Sequence, residues 1–181
     1  MWWFLPLVLA DECTLIQDDA GKPYPSLVKC YRYNSEACCV SAHDQEIGNA
    51  YGELLSEQCQ RQYNPLEDYF CYGCNPQQGE YINHTSKVIR ICESLAENVW
   101  GESLDKSTTA YDNCGMYTYW RGSNSSTVIP SKEWSNAYDF FKEVKPPYFE
   151  DYEIQIVTEG DDCFSKAEYL GVCVVLGLML N

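Results

Sequence analysis

The sequence predicts a small, disulfide-rich α+β domain of the secreted kind, mainly helical with short strands. Three observations predict it. The chain of 181 residues is one domain long, and its hydrophobic fraction of 45% is enough for a core. Its eleven cysteines, about six per cent of the residues, exceed ordinary cytosolic usage and point to an oxidising compartment. Stretches of helical apolar spacing alternate with turn-rich, cysteine-bearing loops, and one stretch alternates as a strand does.

Residues 1–10 are apolar and end at Ala10 before Asp11 and Glu12, as a short signal peptide would, although no basic residue precedes them. A buried N-terminal segment, or a chain whose true start is missing, is the other reading. Residues 11–165 form the cysteine-rich domain. Within it, residues 40–57 place Val40, Ile47, Tyr51, Leu54 and Leu55 at helical spacings, with Ser41, Asp44, Glu46, Glu53 and Glu57 mostly on other faces. Residues 86–100 repeat the pattern with Val88, Ile91, Cys92, Leu95 and Val99, and Thr85 or Ser86 can cap the start. A cysteine on that stripe suits a buried disulfide. The spacing predicts a third helix over 132–144, capped by Ser131, with Trp134, Tyr138, Phe141 and Val144 apolar and a stop at Pro146-Pro147. Residues 153–157, EIQIV, alternate and are β-branched, which predicts a half-buried strand. The apolar tail of residues 166–181 is too short to span a bilayer and has the length of a GPI-anchor signal; a buried C-terminal element is the alternative.

Cys173 lies in that tail. Without it ten cysteines remain, Cys13, Cys30, Cys38, Cys39, Cys59, Cys71, Cys74, Cys92, Cys114 and Cys163, and ten can pair completely. The stretch Cys71-Tyr72-Gly73-Cys74 fits a redox motif, a zinc site or a disulfide scaffold. A redox pair needs a helix N-terminus in a βαβ setting, which the flanking residues do not supply, and Asn75-Pro76 signals a turn. Zinc needs further ligands at regular spacing, and the histidines are only His43 and His84. Structural bridges to distant cysteines are the expectation.

Two N-x-S/T triplets, at Asn83 and Asn124, lie in polar stretches where a glycan can sit in water. No G-x-S-x-G, phosphate-binding glycine loop, H-E-x-x-H or EF-hand pattern occurs, and a fully paired cysteine set leaves no thiol nucleophile, so no catalytic role or cofactor is expected. With 27 acidic and 12 basic residues the net charge is −15. That field opposes nucleic acid and anionic membranes, leaving a lipid anchor as the one expected route to a membrane.

Several motifs occur in a telling order: Ala37-Cys38-Cys39 opening a helix, Cys71-Tyr72-Gly73-Cys74-Asn75-Pro76 followed by Gly79-Glu80-Tyr81-Ile82, Cys92 with Glu97 and Trp100, and Glu133-Trp134 with Tyr138. Over residues 30–140 this set resembles the folate receptor and riboflavin-binding protein family, which includes the egg-surface sperm receptor of mammals. Ala96 stands where that family's helix has a second cysteine, the Cys71–Cys74 spacing is one residue shorter, and a cysteine before Cys59 is missing. The resemblance implies an extracellular binding protein whose aromatics sandwich a flat heterocycle such as riboflavin, a pterin or folate. It places Trp134, Tyr138, Tyr81, Tyr119 and Trp120, with Tyr117 nearby, at the ligand, and offers Asp44 as the acid. Folate's carboxylates would need some of Lys87, Arg90, Arg121 and Lys132 to converge. The egg-surface receptor uses the scaffold for adhesion, so an extracellular protein partner is the alternative to a small ligand.

Overall fold

The computed structural model describes residues 13–61, 63–112, 114, 116–117, 128–129, 131–160 and 162–165. The first half is helical: α1 (Ser41–Leu54), α2 (Glu57–Gln60), α3 (Asn64–Phe70), a 3-10 turn at Cys71–Cys74 and α4 (Gln78–Tyr81). Strands β1 (Ile82–Asn83) and β2 (Val88–Cys92) lead into α5 (Glu93–Trp100). The short strands β3 (Met116–Tyr117) and β4 (Val128–Ile129), helix α6 (Ala137–Glu143) and strand β5 (Glu153–Val157) follow. The class is α+β, as expected. Residues 1–12 and 166–181, with the expected signal and anchor segments and Cys173, lie outside the described residues.

Helix α1 begins where Val40 turns extended, and the His43 ring reaches back so that its Nδ1 accepts from the Val40 N–H at 3.3 Å. Ile47, Tyr51 and Leu54 are buried along its inner face, whereas Val40, expected on that face, is exposed at the cap. The expected helix over 86–100 is two elements. Val88 to Cys92 form the middle strand of the sheet β1-β2-β5, antiparallel to β1 and parallel to β5, and the helix starts only at Glu93. The run VIRIC is β-branched at alternate faces, and its hydrogen bonds go sideways to two neighbours, so its helical spacing was a coincidence of short apolar runs. Thr85 and Ser86 therefore cap nothing and sit in the hairpin connection.

The expected helix over 132–144 begins late. Residues Ser131–Glu133 make a 3-10 turn, Asn136 is the cap whose side chain accepts from the Asp139 N–H at 3.0 Å, and the helix stops at Glu143 before Pro146-Pro147. Ser131 is instead buried, its Oγ donating to the Thr108 carbonyl at 3.0 Å. Strand β5 falls on the expected residues, with Ile154 and Ile156 packed on the core and Glu153 and Gln155 outward.

Five bridges tie these elements: Cys13–Cys38, Cys30–Cys71, Cys39–Cys74, Cys59–Cys114 and Cys92–Cys163, closing sequence separations from 25 to 71 residues. All ten expected cysteines are paired. Between the bridges the core is aromatic. Phe140 contacts Trp100, Tyr111, Trp134 and Phe141 with ring centroids 5.1–6.0 Å apart, and Tyr69 extends the cluster through Phe141 at 5.2 Å. Such edge and offset contacts add to the area each ring buries.

Candidate functional site

Cys71 and Cys74 lie at the C-terminal end of α3, where the helix dipole disfavours a thiolate, and each is oxidised to a different partner. A Cβ on Gly73 between them would come within 2.8 Å of Leu15 Cδ1 and 3.0 Å of Phe149 Cε2, so this turn is packed from outside. Among the described residues no group of three His, Cys, Asp or Glu side chains could hold a metal ion. The motif is a pair of staples.

Asp44 was the candidate acid for a ligand, or else a solvated helix residue. In the structure it is buried beneath the preceding loop. Its two oxygens accept from the backbone N–H groups of Val28 at 2.7 Å, Lys29 at 3.1 Å and Cys30 at 2.7 Å. Three charge-assisted bonds occupy the carboxylate and fix three successive peptides.

The same loop is pinned at other points. The Leu27 N–H donates to Asn34 Oδ1 at 2.6 Å while Asn34 Nδ2 donates to the Leu27 carbonyl at 3.0 Å. Leu27 is buried and Cys30 is bridged to Cys71. Lys29 pairs with Glu67 at 2.8 Å and lies 4.1 Å from the centre of the Tyr51 ring, and Arg32 pairs with Asp68. Burial opposes the Arg32 charge, and the hydrogen bond and attraction of Asp68 outweigh it, so its pKa is raised.

With its polar groups turned inward, the loop holds apolar side chains in water. Tyr24 is 95% exposed, Val28 86% and Tyr31 54%. With Val40, these make four of the five exposed large hydrophobic residues among the described residues. The Lys29 and Arg32 charges are neutralised locally, so a molecule of net charge −15 presents here a loop with little of that charge. Sequence reasoning missed this surface, because an exposed tyrosine and a buried one look alike in a row of letters.

The aromatics expected at a ligand have separate surroundings. Trp134 is buried at 3% exposure, its Nε1 donating to Glu143 Oε2 at 3.2 Å and its ring edge-on to Phe140. Tyr81 is half-buried against Phe164, and burial, then the charges of Glu80 and Asp162, raise its pKa. Tyr138 is 44% exposed on α6. Of the expected basic groups, Lys87 pairs with Asp151 at 3.1 Å and Arg90 donates to the Glu80 carbonyl at 2.7 Å. Tyr119, Trp120, Arg121 and Asn124 lie outside the described residues, as do the side chains of Tyr117 and Lys132. Asn83 is exposed in the β1–β2 hairpin.

The chain matches no family model, and no curated protein matches it. Among the described residues no helix is long and apolar enough to cross a membrane.

Proposed function

We propose that the protein is a non-catalytic binding domain of the extracellular space or cell surface, and that it engages another protein through the loop of residues 22–31. The observation that carries this reading is the loop itself: its backbone is held by Asp44, Asn34 and the Cys30–Cys71 bridge while Tyr24, Val28 and Tyr31 stand in water. A fold that fixes apolar groups in solvent forgoes about 25 cal/mol for each Å² left uncovered, and a partner recovers it. A loop that is already rigid loses little conformational freedom on docking, and tyrosine is favoured at interface centres. Five bridges suit an oxidising compartment. The resemblance to the folate receptor family, one of whose members serves adhesion, supports the same class of function.

A flat heterocycle is the second reading, favoured by the open ring of Tyr138 on α6. It has lost two supports, since Trp134 is committed to the core and Asp44 to the loop backbone.

The test uses the oxidised protein, fluorescently labelled and applied to a panel of intact cells. Saturable binding that trypsin treatment of the cells removes is expected. Unlabelled wild type should displace it, and a Tyr24→Ala/Val28→Ser variant should compete at least roughly tenfold less well, as loss of two interface anchors implies. A variant that competes as well as wild type would remove the loop from the reading. Riboflavin, an uncharged pterin and folate are titrated in parallel against tryptophan fluorescence. Sub-millimolar binding of one of them, unchanged in the double variant, would put the small ligand in the partner's place.

A further inference from the structure

Strand β1 pairs with β2 through Ile82 opposite Ile89 and Asn83 opposite Val88, so residues 84–87 are the hairpin connection, and all four are exposed. This connection carries the triplet Asn83-His84-Thr85. Asn83, His84 and Lys87 each have a distinct place. Asn83 Oδ1 accepts from the Thr85 N–H at 3.0 Å and the Ser86 N–H at 2.9 Å, folding the carboxamide over its own turn. His84 is drawn aside, its Nδ1 2.9 Å from the Tyr152 hydroxyl and its Nε2 3.5 Å from Thr14 Oγ1. Lys87 closes the far side by its ion pair with Asp151. The turn is thus held without Asn83 Nδ2 or Thr85 Oγ1, which make no hydrogen bond among the described residues.

We propose that Asn83 is an occupied N-glycosylation site. The inference rests on the extracellular reading above, because only a chain entering the secretory lumen meets the donor, an oligosaccharide on a polyprenyl diphosphate. In the transfer, Nδ2 bonds to the anomeric carbon, the bond from that carbon to the diphosphate oxygen breaks, the polyprenyl diphosphate leaves with the electron pair, and Nδ2 gives up one proton. Transfer acts on the chain before it folds, so the fold decides whether the product can be housed. A glycan is bulky and hydrated and cannot be buried. At Asn83, exposed in the turn, nothing among the described residues opposes it. The amide keeps its carbonyl after transfer, so both turn hydrogen bonds survive, and the nitrogen that is substituted makes no hydrogen bond among the described residues. The attached chain leaves from an edge strand of the sheet order β1-β2-β5, where it also screens that edge from pairing with another molecule.

The full chain, expressed in a eukaryotic secretory cell behind a cleavable leader, supplies the test. Peptide mapping of the secreted protein should find Asn83 carrying glycan in most molecules, and peptide-N-glycosidase should convert it to aspartate. Thr85→Ala should abolish occupancy at Asn83 and leave the five bridges and the circular dichroism unchanged, since it removes an exposed methyl and a hydroxyl that makes no hydrogen bond among the described residues. Secreted, fully bridged wild-type protein with an unmodified Asn83 peptide would overturn the proposal, whatever the variant does. The state of the bridges separates this from the parent reading: a leader-bearing chain that fails to close its five bridges in the secretory lumen sinks the extracellular assignment, whereas a secreted, fully bridged chain with bare Asn83 sinks only the glycan.

Discussion

Asp44 has one carboxylate for three consecutive backbone donors, and removing it strands all three at once. An unsatisfied buried N–H costs about 1–3 kcal/mol, though part of this loop can turn to water. Asp44→Ala is therefore expected to destabilise the protein by about 3 kcal/mol in urea unfolding with the bridges intact. A loss below about 0.5 kcal/mol would show that the loop amides are solvated without it. Trp134 changes meaning in the same way. The family resemblance places it at a ligand, where Trp134→Ala would leave the fold intact, and its apolar spacing places it on a core stripe; burial against Phe140 decides for the core, where truncation costs about 3–5 kcal/mol. At both positions the residue type was informative and the partner was not, because the partner is set by contacts that sequence spacing does not reveal.

Among the elements, those whose pattern has one solution were legible. α1 buries Ile47, Tyr51 and Leu54 as the spacing requires, and β5 alternates on the expected residues. Two patterns had two solutions. Val88, Ile91, Cys92, Leu95 and Val99 satisfy a helical period, yet the first three lie on a strand, and neighbours on both sides decide for the sheet. Ser131 and Asn136 are both good caps, and the buried bond from Ser131 to Thr108 leaves the helix start to Asn136. α3 was not foreseen at all: seven residues with Pro65 in the first turn are too few to show a period. At the far end of α5, Gly101 takes φ 81°, and a Cβ there would lie 2.8 Å from the Ala110 Cβ. Gly101→Ala should cost at least about 1–2 kcal/mol from the left-handed conformation alone. Calorimetry on the oxidised protein would measure it, and an unchanged melting temperature would mean that the segment around Ala110 moves aside freely.

For the whole molecule, an aromatic core has a particular weakness at high pH. Burial raises the pKa of Tyr69 and Tyr111 well above the ordinary 10.0, and burial followed by nearby charges raises those of Tyr33, Tyr51 and Tyr72. The folded state therefore keeps phenol protons that the unfolded chain releases. Stability from this source is complete below about pH 10 and falls as the pH rises towards the folded pKa values, by about 1.4 kcal/mol per pH unit for each tyrosine. The part of the tyrosinate absorbance that comes from these five rings should then appear together with the loss of near-ultraviolet dichroism above pH 10. Ionisation of these five rings well before the dichroism is lost would contradict their burial.

The bridges have a consequence beyond stability. Cys13–Cys38 overlaps Cys30–Cys71, which overlaps Cys59–Cys114, which overlaps Cys92–Cys163. Every peptide bond from Cys13 to Cys163 is thus straddled by at least one cystine, and the polypeptide between those two residues can be severed once, anywhere, without coming apart. A protease that clips a surface loop should leave a band of unchanged mobility on a non-reducing gel and two fragments once a thiol is added. Losing material takes two cuts with no cysteine between them lost to either side, and the longest cysteine-free interval, residues 115–162, is where such a double cut would shed α6 and β5. The molecule can carry scars of proteolysis while its covalent frame stays closed.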